Sequence, residues 1–557
     1  MPELLAAIDD GARVGVGGFH FTRLPIAALL ELRRRGVRDL TYIAWGGGLA
    51  LEFLLDAGAV ARAELTFSSL DVFGLAPRFR RAVEDGTLAL REWTALGLIK
   101  ALEARGERLG FEVMQPLAGS DLGGDWTSPV RNPFGGEEQA AVPAVALDAL
   151  LLHAGRADDA GNVEIRGARG IDLAAIFATD RVLVTVEERV ANGELGAPGA
   201  FVVPRAFVSG IAIAEGGAYP TSCLPHYPAD LRRLRRIAAS DGQLADELLD
   251  PDDAMDRLRA IASAPPLDLR AALERTTPHA APAEATRDEV MVCALARTVR
   301  DGAVASVGSA SPLPTVAYLL AKLLWAPGLT IMSFNGGLVD IGWRPTTLTY
   351  AELLDFHSAA THAGGDETYH WYYQRGRVTH EVVGAAQLDR QGATNNVAVR
   401  KPDGTNVRLP GQGGMADVAN LHAQFLIYLP RQSARNTVER VDVRSAARVR
   451  PGTMAVLTDL GWFERDEATA TLVLSRLHPG VELDEVRDRT GWTLEVAGDL
   501  QRTPAPTAEE LAALRERVDP LGIRRLDFVA GAERGPLIDE LLDREDLVLD
   551  AVLGARA

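Results

Sequence analysis

At 557 residues the chain is too long for a single hydrophobic core, so two or more domains are expected. Its 47% hydrophobic and 24% charged residues are those of an ordinary globular protein, and a formal charge of −18 excludes the basic footprint that nucleic-acid binding needs. Only two cysteines, Cys223 and Cys293, are present, which excludes a disulfide framework and a thiolate metal cluster; both are expected as buried small hydrophobes. No apolar run reaches the ~18 residues that span a bilayer, so no membrane contact is expected. The opening Met1-Pro2-Glu3-Leu4 lacks a basic region followed by an apolar core, so a cytoplasmic chain without a secretory leader is the expectation.

Taken in chain order, short Val/Ile/Ala runs alternate with helical patterns, the mark of βαβ units and a largely parallel sheet. Residues 14–16 read as a strand, 25–35 as a helix whose Ile26, Leu29, Leu30 and Leu32 form a buried stripe, and 40–44 as the next strand. Strands are expected at 88–90 and 181–186. A Pro-, Ala- and charge-rich stretch at 263–288 reads as a linker enclosing one short helix at 269–274. Beyond it, 305–307 reads as strand, 313–324 as helix, 329–333 and 382–384 as strands. After residue 440 come strands at 456–460 and 470–474, then a helix at 508–517.

Two of these stretches are the same sentence. Asp10-Gly11-Ala12-Arg13-Val14-Gly15-Val16-Gly17 returns as Asp301-Gly302-Ala303-Val304-Ala305-Ser306-Val307-Gly308, an offset of 291 residues. Leu40-Thr41 before Gly46-Gly47-Gly48-Leu49 returns as Leu329-Thr330 before Asn335-Gly336-Gly337-Leu338, an offset of 289 at the Leu-Thr pair. Asp158, Gly161 and Asn162 find a looser echo in Asp389, Gly392 and Asn395, with an offset of 231 between the aspartates. Solenoid repeats run at roughly 20–50 residues, so this duplication means two related domains.

The stretch from Asp10 through Gly17-Gly18-Phe19 to Pro25 resembles the first signature of family I CoA-transferases, departing from it at Gly15 and at Arg23, where the family has glycine. Asp158-Asp159-Ala160-Gly161-Asn162-Val163 and Val184-Thr185-Val186-Glu187-Glu188 resemble the family's α-type half. Gly384-Ala385-Ala386-Gln387-Leu388-Asp389 and Pro410-Gly411-Gln412-Gly413-Gly414-Met415-Ala416-Asp417 resemble its β-type half. The order is similar to glutaconate-type enzymes with the two subunits fused. This resemblance implies an α/β fold of two related CoA-transferase-like domains with parallel-rich sheets flanked by helices. The domains are an α-type domain at 1–262 and a β-type domain at 289–557, joined by the linker 263–288. It also implies coenzyme A as part of the substrate, no tightly bound cofactor or metal, and a homo-oligomer.

One element departs in a way that matters for chemistry. Family members carry Ser-Glu-Asn-Gly in the β-type half, whose glutamate forms a glutamyl-CoA thioester. Here the frame is Ser333-Phe334-Asn335-Gly336, and phenylalanine has no electron pair to offer. A branch of actinobacterial hydrolases that opens a steroid ring as a CoA thioester resembles this chain and also lacks that glutamate. A carboxylate of its α-type half is understood to help water cleave a carbon–carbon bond. The matching carboxylate here is Glu92, after the strand at 88–90; as a plain surface group it would instead pair with Arg91 or Arg105. His20, in the first glycine-rich loop, is a second acid/base candidate.

The amides of Gly17-Gly18 and of the Gly411, Gly413 and Gly414 turn are candidates for holding an oxyanion, and Phe334, Asn335 and Gly336 for lining the acyl-CoA site. Thr361 to His370, with its Gly364-Gly365 pair, matches no helical zinc spacing and reads as a solvated loop. The expected function is a water-using hydrolase of an acyl-CoA. The alternatives are a CoA-transferase using another carboxylate and a non-catalytic acyl-CoA binding module.

Overall fold

The computed structural model describes residues 1–115, 117, 119–240, 244, 254–308, 311–333 and 336–555. The chain forms two units. Unit 1 comprises 1–263, 361–370 and 397–417, and unit 2 comprises 264–360, 371–396 and 418–557. Two stretches of the second half are therefore built into unit 1.

In unit 1, β1 (Arg13–Val16), α1 (Ile26–Arg35), β2 (Leu40–Ile43), β3 (Val60–Leu65) and β4 (Ala89–Glu92) follow the alternation of the sequence. Then come α2 (Ala95–Gly106), β5 (Ala149–Asp158), α3 (Asp172–Phe177) and β6 (Val182–Val190). β1 runs parallel to β2 and β5, β2 to β3, β3 to β4, and β5 to β6. Strands buried on both faces read as unbroken apolar runs, as in Leu150-Leu151-Leu152 of β5. α1 stops at Gly36 (φ 69°), a left-handed cap that glycine adopts without a Cβ clash.

Unit 2 repeats the plan with β7 (Val304–Ser306), α4 (Pro312–Leu324), β8 (Thr330–Ser333), β9 (His380–Gly384), β10 (Gln424–Leu429) and β11 (Thr453–Thr458). β7 is parallel to β8 and β9, β9 to β10, and β10 to β11. The register carries the duplication: Val14 lies beside Tyr42 and Ala149, and Ala305 lies beside Ile331 and His380. These positions are 291, 289 and 231 residues apart, the offsets of the sequence landmarks. Both units are α/β, with parallel-rich sheets and the helices of their crossovers on the sheet faces.

Element bounds shift where tertiary contacts decide them. The helix of the Pro-rich stretch runs Pro266–Glu274 and buries Leu269 and Leu273 within unit 2. The helix expected at 508–517 is α-helical only over Ala508–Ala512 and widens into a π-turn at Ala513–Val518. Both cysteines are buried. Among the described residues no helix is long and apolar enough to cross a membrane.

Candidate active site

β1, β2, β3 and β4 end at one edge of the unit 1 sheet, and ligand sites of open α/β sheets lie outside that carboxyl edge. Glu92 closes β4 beside Leu65 of β3. It is not a surface group: its side chain is 7% exposed, and neither Arg91 nor Arg105 is its partner. Oε2 accepts from Arg408 Nη2 at 2.5 Å and Oε1 from the Gln412 N–H at 2.7 Å. The Arg408 guanidinium lies over the Phe79 ring at 5.4 Å. Each carboxylate oxygen has two lone pairs, so each keeps one beyond these bonds.

The stretch that brings Arg408 and Gln412 is fastened residue by residue. Ser68 N–H donates to the Pro410 carbonyl (2.8 Å), and Gly413 N–H to the Thr66 carbonyl (3.0 Å). Asp417 accepts from the Leu96 N–H in the first turn of α2 (2.9 Å). Gly411 has φ 122°, and a Cβ there would stand 2.9 Å from the Thr66 oxygen and 3.0 Å from Glu92 Oε1, so only glycine fits. Gln412 Nε2 donates to the Trp93 carbonyl at 3.1 Å. Since a carbonyl only accepts, the amide orientation is fixed, and Gln412 Oε1 is left buried without a partner among the described residues. Arg408 Nε and Trp45 Nε1 are likewise buried polar atoms without a partner among the described residues.

An aromatic wall adjoins this carboxylate. Phe67, next to Gly411, lies 6.0 Å from Phe19 and 5.2 Å from His20 between ring centroids. Phe19 lies 4.9 Å from Trp45, and Trp45 meets Tyr369 edge-on at 6.2 Å. The Tyr369 hydroxyl is 2.4 Å from where a Cβ of Gly414 would be. Gly411 thus sits against both Glu92 and the phenylalanine whose ring meets His20. Burial pushes the His20 imidazole below its ordinary value, against the Asp71 carboxylate 3.6 Å from Nδ1, so it is neutral at neutral pH.

The two glycine-rich turns differ. Gly17 N–H donates to the Leu151 carbonyl and Gly18 N–H to Asp172 Oδ1, both at 2.9 Å. Asp172 is held in turn by Arg23 at 2.8 Å, the arginine that stands where glycine was expected. With both N–H groups consumed internally, neither glycine amide is left to hold an oxyanion, contrary to the reading of the sequence. In the second turn the Gln412 and Gly413 amides are also consumed, and the Gly414 N–H has no acceptor among the described residues. Gly336 (φ 82°) follows β8 in unit 2; Phe334 and Asn335 lie outside the described residues.

The stretch 361–370 is not a solvated loop. His362, Asp366 and Thr368 are buried, Asp366 accepts from the Ala174 N–H of α3 (2.9 Å), Glu367 pairs with Arg169, and His370 pairs with Glu103. Its polar composition concealed that α3 leaves backbone N–H groups that need a carboxylate. Arg408 and Phe67 were not singled out in the sequence at all; the only signal for Arg408 is its place two residues before Pro410-Gly411.

His153, Glu187 and Cys223 form the one buried His/Glu/Cys cluster among the described residues. His153 Nε2 and Glu187 Oε1 are 2.7 Å apart, and Tyr227 donates to the same Oε1 at 2.6 Å. Two ligands of one zinc stand about 3.4 Å apart, so this is hydrogen-bond geometry.

A family model described as Coenzyme A transferase matches residues 1–214 and 289–489. Both subunits of the 3-oxoadipate CoA-transferase of Pseudomonas knackmussii are similar to this chain. One is 33% identical over 245 residues (41% of this chain, 91% of the relative). The other is 33% identical over 233 residues (40% and 81%). The chain is also 33% identical over 258 residues to the cholesterol ring-cleaving hydrolase IpdA subunit of Mycobacterium tuberculosis (43% and 88%). The acyl-CoA transferase YdiF of Escherichia coli O157:H7 superposes with a TM-score of 0.65 at 15% identity, covering 90% of this chain and 94% of that one, a likeness of fold. The chain carries both subunit types on one polypeptide.

Proposed function

The chain belongs to the Coenzyme A transferase family, and from that premise we propose that it is an acyl-CoA hydrolase that uses water, rather than a glutamyl residue, as its nucleophile. The observation that carries this reading is Phe334 in the frame Ser333-Phe334-Asn335-Gly336, where a covalent CoA carrier has no atom to form on. A relative named as a ring-cleaving hydrolase supports it.

In this reading Glu92 accepts a proton from water as the water oxygen attacks an acyl carbonyl carbon. The Gly414 N–H and the Tyr369 hydroxyl stabilise the oxyanion that develops. The bond to sulfur, or to the α-carbon beside the thioester, then breaks, and the leaving group takes the proton from Glu92. Neutral His20, bordering the Phe67 ring, is the second group able to take a proton. Coenzyme A enters as part of the substrate, and the Phe19, Trp45 and Phe67 rings favour an apolar acyl group.

The 3-oxoadipate relatives support a second reading, CoA transfer through another carboxylate. An acyl-CoA panel assayed for free thiol and for new thioesters, with and without acetate or succinate, separates the two. Products that form without acceptor support hydrolysis, and a new thioester that requires acceptor refutes it.

A further inference from the structure

Gln412 shares its peptide N–H with Glu92 Oε1 at 2.7 Å, so its side chain starts from the catalytic carboxylate itself. The side-chain nitrogen is committed to the Trp93 carbonyl at 3.1 Å, which turns Oε1 the other way. That Oε1 is a buried acceptor on a residue only 1% exposed, and nothing among the described residues donates to it. A buried carbonyl left in this condition loses its hydration with nothing in exchange, so such groups mark places where a small donor belongs.

We infer that Gln412 is a water-positioning residue: Oε1 accepts one hydrogen of the attacking water while Glu92 accepts the other. This inference rests on the hydrolase reading above and adds a residue to it. Two acceptors on one water take both of its hydrogens and leave its two lone pairs directed away from them. In the step, one water hydrogen passes to Glu92 as the oxygen bonds to the carbonyl carbon. The other stays with Gln412 until the acid product forms, and the leaving group takes the proton from Glu92. Hydrogen, oxygen and charge balance with no further reactant. The geometry also explains the glycine that precedes Gln412. A Cβ at Gly411 would crowd Glu92 Oε1 at 3.0 Å, the oxygen the water must reach.

The test is Gln412→Met, which keeps side-chain length and removes the acceptor, assayed on the full chain with water alone and with added hydroxylamine. Hydroxylamine is a strong nucleophile that needs no second acceptor to orient it. Loss of acid formation by about 10²-fold at unchanged KM, with hydroxamate formation retained within about 3-fold, is the expected result. Gln412→Asn, with the same amide one carbon shorter, is expected to recover part of the acid formation. Equal loss of acid and hydroxamate, or no loss of either, overturns the role of Gln412 and leaves the hydrolase reading standing. Failure of the unaltered enzyme to form acid without an acceptor overturns the hydrolase reading itself.

Discussion

Glu92 and Arg408 form a buried pair in which each side chain is 7% exposed, and breaking it from either side leaves a buried charge unpaired. Glu92→Gln keeps the shape and an acceptor for Arg408 but removes the proposed base and leaves the buried guanidinium without its counter-charge, so turnover is expected to fall by about 10²–10⁴-fold and Tm to fall as well. Arg408→Met leaves the carboxylate buried without its counter-charge. It is expected to lower stability by about 3–5 kcal/mol in a denaturant titration, and the double variant Glu92→Gln/Arg408→Met to recover much of that loss. If Arg408→Met were silent in stability, the ion pair would not be holding the site. This pair also shows what a sequence withholds. Glu92 is singled out in the sequence by the family resemblance together with its place after a strand, but its partner is 316 residues away, and no local pattern records a contact of that span.

The stretch 361–370 acts as an element through Asp366. Burial, helped by the neighbouring Glu367 and Asp172 carboxylates and opposed by the Ala174 and Glu367 amides, raises the Asp366 carboxyl to about 7. Arg169 and Arg23 are the cations of the same neighbourhood, each already paired, with Glu367 and Asp172. An unfolded chain releases the Asp366 proton near 3.8, so between roughly pH 4 and 7 the folded form holds more protons and its stability falls as pH rises. Asp366→Asn removes that slope. Relative to this variant, the unaltered protein is expected to lose on the order of a few kcal/mol between about pH 4 and pH 7 in chemical denaturation. Parallel stability profiles would show that Asp366 does not titrate in this range. In the same element, a Cβ on Gly365 would fall 2.1 Å from the Trp45 ring, so Gly365→Ala is expected to cost about 1–3 kcal/mol, read as a lowered Tm.

Elements with strong periodicity were readable in advance. The strands and helices of both copies emerged from apolar runs and helical stripes, because those patterns follow from burial of one face or two. The stretch 361–370 was not, because histidine, carboxylate and glycine together look solvated until the backbone N–H groups of α3 are there to receive them.

At the scale of the whole chain the duplication was legible because insertions spare the landmarks, and the sheet registers preserve the same offsets. The interleaving was not legible. A fragment ending at residue 263 contains Glu92, Ala174 and Leu96 but lacks Arg408, Asp366 and Asp417, their partners within unit 1. Such a fragment is expected to melt without a cooperative transition by circular dichroism. A sharp transition at the full-length Tm would show that 361–370 and 397–417 contribute nothing to unit 1.

If water replaces the missing glutamyl nucleophile, as proposed, the oxygen it donates is traceable by product mass in ¹⁸O-water. On a panel of acyl-CoA substrates including β-oxo and cyclic members, one heavy oxygen is predicted in the newly formed carboxylate, without any acceptor acid. An intact thioester in that product would place the cut at a carbon–carbon bond, and free coenzyme A would place it at the thioester. Acid that forms only with acetate or succinate, accompanied by their CoA thioesters and carrying no heavy oxygen, would contradict the account and return the chain to group transfer.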